Sequence, residues 1–478
     1  MSVRIFNRLP SSIARLLPDA ARTARAAVTC VLAVAMAAPP APAAAQAGRN
    51  VPIIRDAEIE ALLRDYATPI FAAAGLSKGS IEIVIVGDRS FNAFVANGRR
   101  MFINTGALVD AKTPNEIIGV IAHESGHIAG GHLARLRDQL ATAQIVAIAG
   151  MLLGAGAMAG AVRSGDRVGN AGVGASGIML GSTDMAMRSL LSYQRGEEQA
   201  ADRMAVNYLN ATHQSPKGLL TTFERFNQDA MFKTQSIDPY LVSHPMPAER
   251  IANLANVAKQ SPYFEAKDSA SLQARHDMMR AKLIGFSGSV GEVSRRYPLS
   301  DNSLPARYAR AIASYQAKRF VEAAGQVDGL IAQQPNNPYF WELKGQILLE
   351  FGQAQQALPA LRKAVALAPS AGLIRILLGQ ALVATERPAE VKEAVGILSQ
   401  AAQRESDWPD GWRHLSRAYG ILGDIGMAEY AAAQSYFAAG DYKNAATQAT
   451  RAMEKLPKGS PSYLRAEDIV NYRPRKPS

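Results

Sequence analysis

The chain has 478 residues, and its 52 Lys and Arg against 41 Asp and Glu give a formal net charge of +11 at pH 7. These basic residues do not form a patch interleaved with aromatic residues, which argues against a nucleic acid partner. The only cysteine, Cys30, lies near the N-terminus, so a framework of intramolecular disulfides is excluded.

The first 47 residues are predicted to be a secretory signal peptide. Five arginines precede an apolar run over 26–38, and the small residues at 45–47 form a cleavage site. Removal of this segment leaves a cysteine-free chain with a net charge of +7. The signal and the absence of cysteine together indicate a bacterial periplasm. The remaining positive charge is compatible with contact at an anionic membrane surface.

Two segments ahead of the main motif are predicted to be strands. Residues 80–87 and 100–106 alternate enough between apolar and polar positions to be strands, and 91–98 join them. The part of the chain over residues 48–262 is therefore expected to contain a small sheet among its helices.

The most informative motif is His123-Glu124-Ser125-Gly126-His127. Positions four apart share one face of an α-helix about 6 Å apart, so both histidines can bind a single metal ion. Glu124 faces the same opening. An apolar lead-in over 117–122 predicts that the motif lies on a buried, rigid helix. An incidental surface pentapeptide is the alternative that the motif alone leaves open.

The segment 139–192 is rich in Gly, Ala and Met. Its first 24 residues, 139–162, carry no charge and are long enough to span a bilayer, but four glycines interrupt the apolar run. We expect a helical lid or a membrane-apposed hairpin, in which Met and Gly provide adaptable packing. A pair of membrane-spanning passes remains as the alternative.

A catalytic zinc site needs a third protein ligand besides the two histidines. Glu198 and Asp202 precede a helix-forming run over 203–209 and share one helix face. This spacing lets Glu198 bind the metal while Asp202 orients a histidine from behind. Glu197 lies about 100° around the helix and is interpreted as a solvated charge.

These motifs carry a family resemblance. His-Glu-x-x-His, followed about seventy residues later by Glu-x-x-x-Asp, resembles the gluzincin peptidases that include HtpX and the CAAX prenyl proteases. The resemblance implies that His123, His127 and Glu198 bind one Zn2+ per chain and that Glu124 is the general base of peptide hydrolysis. It also implies an α-rich α+β, zincin-like domain in which the second predicted strand, at the sheet edge, pairs with a substrate backbone. From the residues alone, ordinary core strands are an equally good interpretation of both segments.

The segment 243–251, Ser-His-Pro-Met-Pro-Ala-Glu-Arg-Ile, extends this resemblance. His244 corresponds to a family histidine that approaches the metal and either restrains activity or stabilises the transition state. From the residues alone, a histidine among prolines is more often a structural hydrogen-bonding group. His132 is off the ligand spacing and is interpreted as structural. The histidines without a partner motif are interpreted as surface residues: His213, His276 and His414.

The C-terminal part, 304–470, is predicted to be an all-α superhelix of tetratricopeptide repeats, separated from the peptidase domain by a connecting region over 263–303. Three residue types recur with an offset of 34 residues, the period of these repeats: Pro335 and Pro369, Gly345 and Gly379, Ala323 and Ala357. Such repeats form a concave surface for extended peptides or protein surfaces.

The leading functional hypothesis is a periplasmic zinc metalloendopeptidase. The family resemblance implies degradation of misfolded or stalled proteins and quality control of outer-membrane protein assembly, with repeats that recruit unfolded or misassembled clients or the assembly machinery. The alternative is a chaperone or scaffold whose metal site is occluded by the segment 139–192 and by His244. Hydrolysis of a cell-wall amide is disfavoured, because the repeats are typical of protein binding.

Overall fold

The computed structural model describes residues 52–474 apart from positions 78, 97, 143, 146–148, 150–167, 233–239 and 241–243. The predicted signal peptide, 1–47, and much of the first half of the predicted lid lie outside the described residues. Among the described helices, none combines the length and the hydropathy needed to cross a bilayer.

A four-stranded sheet precedes the motif helix. Its strands are β1 (Ile53–Ile54), β2 (Glu82–Val86), β3 (Ala93–Ala96) and β4 (Arg100–Asn104), in the order β1-β2-β4-β3. β1 is antiparallel to β2, and β4 runs parallel to β2 and antiparallel to β3. The expectation that the second predicted strand offers a free edge is therefore wrong. The chain reverses between Ala96 and Arg100, so part of the predicted connection pairs as β3 and takes the edge instead.

Helices surround this sheet and continue into the connecting region. They are α1 (Ala57–Ala73), α2 (Thr105–Asp110), α3 (Pro114–Gly130), α4 (Val168–Ala211), α5 (Lys217–Phe232), α6 (Ala248–Lys259), α7 (Ala270–Ser287) and α8 (Val290–Arg296). The motif helix α3 starts with a proline in its first turn and ends at Gly131, whose φ of 66° is left-handed. Its apolar lead-in is buried, as predicted for a ligand-bearing helix.

Two glycines let neighbouring helices approach α3 closely. A Cβ at Gly126 would lie 3.0 Å from the Cα and carbonyl oxygen of Ala201 on α4, and one at Gly119 would lie 2.8 Å from the Cβ of Leu219 on α5. Any larger side chain would push α4 or α5 away from α3. The glycine inside the His-Glu-x-x-His motif therefore sets the distance between the histidines and α4.

The C-terminal part consists of helix pairs packed side by side, in agreement with the predicted all-α superhelix. They are α9 (Leu304–Gln316), α10 (Phe320–Gln333), α11 (Pro338–Glu350), α12 (Ala354–Leu367), α13 (Gly372–Ala384), α14 (Pro388–Arg404), α15 (Pro409–Ile421), α16 (Ile425–Ala438), α17 (Tyr442–Lys455) and α18 (Pro461–Asn471).

The recurring glycines mark where the two helices of a repeat meet. A Cβ at Gly345 would lie 2.4 Å from the Leu361 side chain, and one at Gly379 would lie 2.4 Å from the Leu398 side chain. The glycines are 34 residues apart and the leucines 37, so three extra residues lie between Gly379 and Leu398. The insertion lengthens the repeat without changing its glycine-to-leucine contact.

A buried charged cluster joins the sheet-containing N-terminal part of the chain to the helical pairs of the C-terminal part. Lys282 Nζ on α7 lies 2.7 Å from Asp56, 3.2 Å from Glu58 and 4.0 Å from Glu342 Oε2 on α11. The hydroxyl of Tyr308 donates a hydrogen bond to Glu58. One lysine thus faces three carboxylates, and Glu342 Oε2 has no hydrogen-bond partner among the described residues. Burial raises the pKa of Glu342 to about 7.

This excess of negative charge predicts a pH-dependent effect of Glu342→Gln. A folded-state pKa near 7 and an unfolded-state pKa of 4.5 mean that the stability contributed by protonated Glu342 is complete below pH 4.5 and lost as pH rises through 7. The neutral variant should therefore be more stable than the wild type at pH 8, on the order of 1–3 kcal/mol, with a difference that shrinks as pH falls toward 4.5. Chemical denaturation at both pH values measures this. The same change at exposed Glu393 should have little effect, and an equal effect at the two positions would contradict the prediction.

Candidate metal centre

Two helices present the predicted ligands to one another. α3 carries His123 and His127, and α4 carries Glu198 and Asp202, each pair four residues apart. Because the two helices touch at Gly126 and Ala201, the facing sides of both pairs meet in the protein interior. Glu198, Asp202 and His123 are all buried, which is unusual for ionisable groups unless they are paired or bind a metal.

Nitrogen and oxygen donors converge at this point. His123 Nε2 lies 3.1 Å from His127 Nε2 and 3.4 Å from Glu198 Oε2, and His127 Nε2 lies 3.4 Å from Glu198 Oε1. Zinc–nitrogen bonds of about 2.0–2.1 Å in a tetrahedral site place neighbouring donors about 3.3–3.4 Å apart. The observed separations of 3.1–3.4 Å are close to this value, so the three side chains fit a bound zinc ion.

His244 is the fourth member of the group. Its Nδ1 lies 3.1 Å from both carboxylate oxygens of Glu198 and 3.4 Å from His123 Nε2. One donor atom from each of the four residues lies within 4.8 Å of every other. The backbone N–H of His244 donates to the carbonyl of Tyr240, whose ring packs against the imidazole. The structure therefore places His244 at the position where a fourth ligand would bind.

Glu124 lies beside the donor cluster. Its side chain is 1% exposed, and its Oε1 has no hydrogen-bond partner among the described residues, although His244 Nε2 is 3.4 Å away. Burial raises the pKa of Glu124 above its ordinary value. A buried carboxylate oxygen that faces a candidate metal centre is suited to take up and return a proton there.

Asp202 lies behind His123, where the spacing predicts a supporting carboxylate. Its Oδ1 lies 2.9 Å from His123 Nδ1, while His123 Nε2 faces the donor cluster. Burial alone would raise the pKa of Asp202, but the guanidinium of Arg250 and the adjacent imidazole of His123 lower it. An ionised Asp202 at this distance is suited to hold the proton of His123 on Nδ1, which would leave Nε2 available to a metal.

Arg250 is a site residue that the sequence reasoning missed. This buried guanidinium donates from Nε and Nη2 to the two oxygens of Asp202, and its Nη1 lies 2.7 Å from Glu198 Oε2. It therefore holds the predicted ligand Glu198 and the carboxylate of Asp202 with one rigid group. The available signal was its place in the Ser-His-Pro segment, six residues after His244.

The remaining histidines agree only in part with their predicted settings. His132 Nδ1 lies 2.8 Å from His127 Nδ1, and His132 Nε2 lies 2.7 Å from Glu197. Glu197 is thus not simply a solvated charge. His276 is fully buried between the Tyr66 hydroxyl and a backbone carbonyl, so its surface assignment was wrong. His414 is half-buried, and His213 is exposed as expected.

Comparison with known proteins identifies both parts of the chain. Residues 54–258 match Peptidase family M48, and residues 348–419 match a tetratricopeptide repeat family. The chain is similar to the beta-barrel assembly-enhancing protease of Yersinia pestis, with 25% identity over 386 residues that cover 78% of this chain and 75% of the relative. The Escherichia coli (strain K12) protein of the same name is 23% identical over 434 residues, which cover 88% of this chain and 84% of the relative.

Solved repeat proteins show only a weak structural likeness. TTC0263, a thermophilic TPR protein in Thermus thermophilus, is 18% identical, with a TM-score of 0.24 over 35% of this chain and 99% of that chain. The family matches and the fold confirm the predicted resemblance and fold class: the chain is a metalloprotease with an M48 domain followed by tetratricopeptide repeats.

The contact between Asp202 and His123 predicts that Asp202→Asn weakens metal binding. The amide can no longer hold the His123 proton on Nδ1 as strongly, and removal of such supports typically costs 10–100-fold in metal affinity. Competition with a chromophoric chelator measures the change. The same substitution at Asp65, which forms an exposed ion pair with Arg275, is the control and should leave affinity unchanged. Equal affinities for Asp202→Asn and the wild type would refute the role of Asp202.

Proposed function

We propose that this chain, a metalloprotease with an M48 domain and tetratricopeptide repeats, is a zinc-dependent endopeptidase of the bacterial periplasm that acts on unfolded or misassembled outer-membrane proteins. The observation that carries the proposal is the convergence of His123, His127 and Glu198 at separations of 3.1–3.4 Å, with Glu124 beside them. Two imidazoles and a carboxylate favour zinc over the harder cations, which prefer oxygen ligands.

In this proposal the metal and Glu124 contribute different parts of the chemistry of peptide hydrolysis. Zinc supplies a Lewis acid that polarises the scissile carbonyl. Glu124 takes the proton of the attacking water and returns it to the leaving amine. Arg250 and Asp202 keep the proposed ligands in place during this exchange, because Arg250 pairs with both Asp202 and Glu198.

The edge strand β3 is the proposed platform for an extended substrate. It pairs with β4 on one side, and among the described strands none pairs with its other side. β3 packs against the motif helix α3. A substrate backbone that adds to this edge would be held mainly by main-chain hydrogen bonds, which tolerate many side chains. Such broad specificity suits a protease whose clients share a misfolded state rather than a sequence.

The proposed compartment and clients rest on two observations. The predicted signal peptide and cysteine-free remainder of the chain favour the periplasm. The relatives named beta-barrel assembly-enhancing protease align over 78–88% of this chain, through the peptidase domain and into the repeats. We therefore propose that the repeats recruit clients or the outer-membrane assembly machinery to the peptidase domain, near the membrane surface.

A second candidate function is that of a chaperone or scaffold with restrained proteolysis. The position of His244 favours it, because Nδ1 stands among the donors where water or substrate must enter. In this proposal both functions belong to one protein: His244 holds the resting site closed, and client binding at the repeats precedes its displacement.

Glu124→Gln should abolish cleavage and leave zinc binding intact. The amide fills the same space but cannot take up a proton, and loss of a general base costs about 10²–10⁴-fold in rate. Cleavage of an unfolded outer-membrane protein by the purified variant, together with its zinc content, checks this. Glu467→Gln, an exposed change on α18, is the matched control. Cleavage at the wild-type rate by Glu124→Gln would remove Glu124 from the mechanism, and chelator-insensitive cleavage by the wild type would overturn the zinc proposal.

His244→Ala should raise the cleavage rate several-fold, because it removes an imidazole from one position of the donor cluster and leaves His123, His127 and Glu198 unsubstituted. The rate on an unfolded substrate at saturating zinc measures the effect. A fall in kcat with unchanged zinc content would show instead that His244 stabilises the transition state.

Aggregation suppression that survives in Glu124→Gln would support the accompanying chaperone function.

A further inference from the structure

We propose that His132 and Glu197 are positioning residues that fix the tautomer and the orientation of the metal ligand His127. The inference rests on the proposed zinc site and adds two residues to it. Neither residue was expected there, since His132 is off the ligand spacing and Glu197 points away from Glu198 around the helix.

The three side chains form a continuous hydrogen-bonded row. His132 Nδ1 lies 2.8 Å from His127 Nδ1, with the two rings nearly perpendicular at 84°. On its other side, His132 Nε2 lies 2.7 Å from Glu197 Oε2. The His132 side chain is 6% exposed, so water competes little for either bond.

The proton positions along this row follow from metal binding. If Nε2 of His127 binds a metal, the ring proton of His127 is on Nδ1 and is donated to Nδ1 of His132. His132 must then carry its own proton on Nε2, which it donates to Glu197. Each partner therefore excludes the tautomer of His127 that would direct a hydrogen at the metal.

The two zinc-binding histidines are thus supported by different means. His123 contacts the carboxylate of Asp202 directly, whereas the carboxylate behind His127 acts through an intervening imidazole. Glu197 is one residue from Glu198 and points about 100° away around α4, so a second ring bridges the gap to His127.

The backbone around His132 is built to admit this ring. Gly131 ends α3 with a left-handed φ of 66° and turns the chain so that His132 returns alongside His127. A Cβ at Gly130 would lie 2.2 Å from His132 Nε2, inside the space that the imidazole occupies. Gly131 therefore allows the turn, and Gly130 leaves room for the imidazole of His132.

Arg135 marks the outer end of the row. Its Nη2 donates to Glu197 Oε2 at 2.7 Å, and half of its side chain is exposed. Because half of its side chain is exposed and it contacts Glu197 rather than His132 or His127, we expect it to contribute little to the orientation of His127. It provides a control that removes a charge near the row without breaking the His127 contact.

The test compares His132→Leu with His132→Asn in the full chain. Leucine fills a similar volume but cannot accept a hydrogen bond. The side-chain oxygen of asparagine can lie near the former position of Nδ1 and accept a hydrogen bond from His127. We expect a 10–100-fold loss of zinc affinity in His132→Leu, a loss of under 10-fold in His132→Asn, and no loss in Arg135→Gln. Chelator competition measures affinity, and the visible spectrum of the Co2+-substituted protein reports ligand geometry.

Wild-type affinity and an unchanged Co2+ spectrum in His132→Leu would overturn the inference. So would equal losses in the leucine and asparagine variants, which would indicate packing rather than hydrogen bonding. If His132→Leu does not fold, the comparison of His132→Asn with Glu197→Leu decides: wild-type affinity in both variants overturns the inference, and weakened affinity in Glu197→Leu supports it. Failure of the wild type to bind zinc would instead overturn the proposed function.

Discussion

The close approach of α3 and α4 is the constraint on which the rest of the structure depends. Without a side chain at Gly126, Ala201 comes within van der Waals contact of the motif helix, and Glu198 reaches the two histidines. Neither helix has a donor cluster of its own. The donor cluster forms because Gly126 has no Cβ, so that α4 approaches α3 closely enough for its carboxylate to lie beside the two imidazoles.

The sequence predicted those parts of the site that depend on helical periodicity. His123 and His127, and likewise Glu198 and Asp202, are pairs whose spacing defines a shared face before any fold is known. Contacts between distant segments were missed. Arg250 binds Asp202 from another helix, and His132 reaches His127 because Gly131 reverses the chain, so neither contact has a periodic signature.

The same distinction explains the fold. The 34-residue spacing of Gly345 and Gly379 predicted the repeats, because each glycine meets a leucine within its own helix pair. The order of the strands depends on the hairpin between β3 and β4, which the composition of the segment did not reveal. The burial of His276 was also missed, because it depends on hydrogen bonds to two groups from distant parts of the chain. Buried Lys282, with three carboxylates around it, similarly joins segments far apart in the chain.

The most direct test of the account is zinc X-ray absorption on the purified wild type, combined with metal content. The account predicts one zinc per chain, with nitrogen and oxygen ligands at about 2.0–2.2 Å and the features of imidazole scattering, and loss of this signal in Glu198→Ala. A protein that takes up no stoichiometric zinc after equilibration, or that keeps the same spectrum without Glu198, would contradict the account.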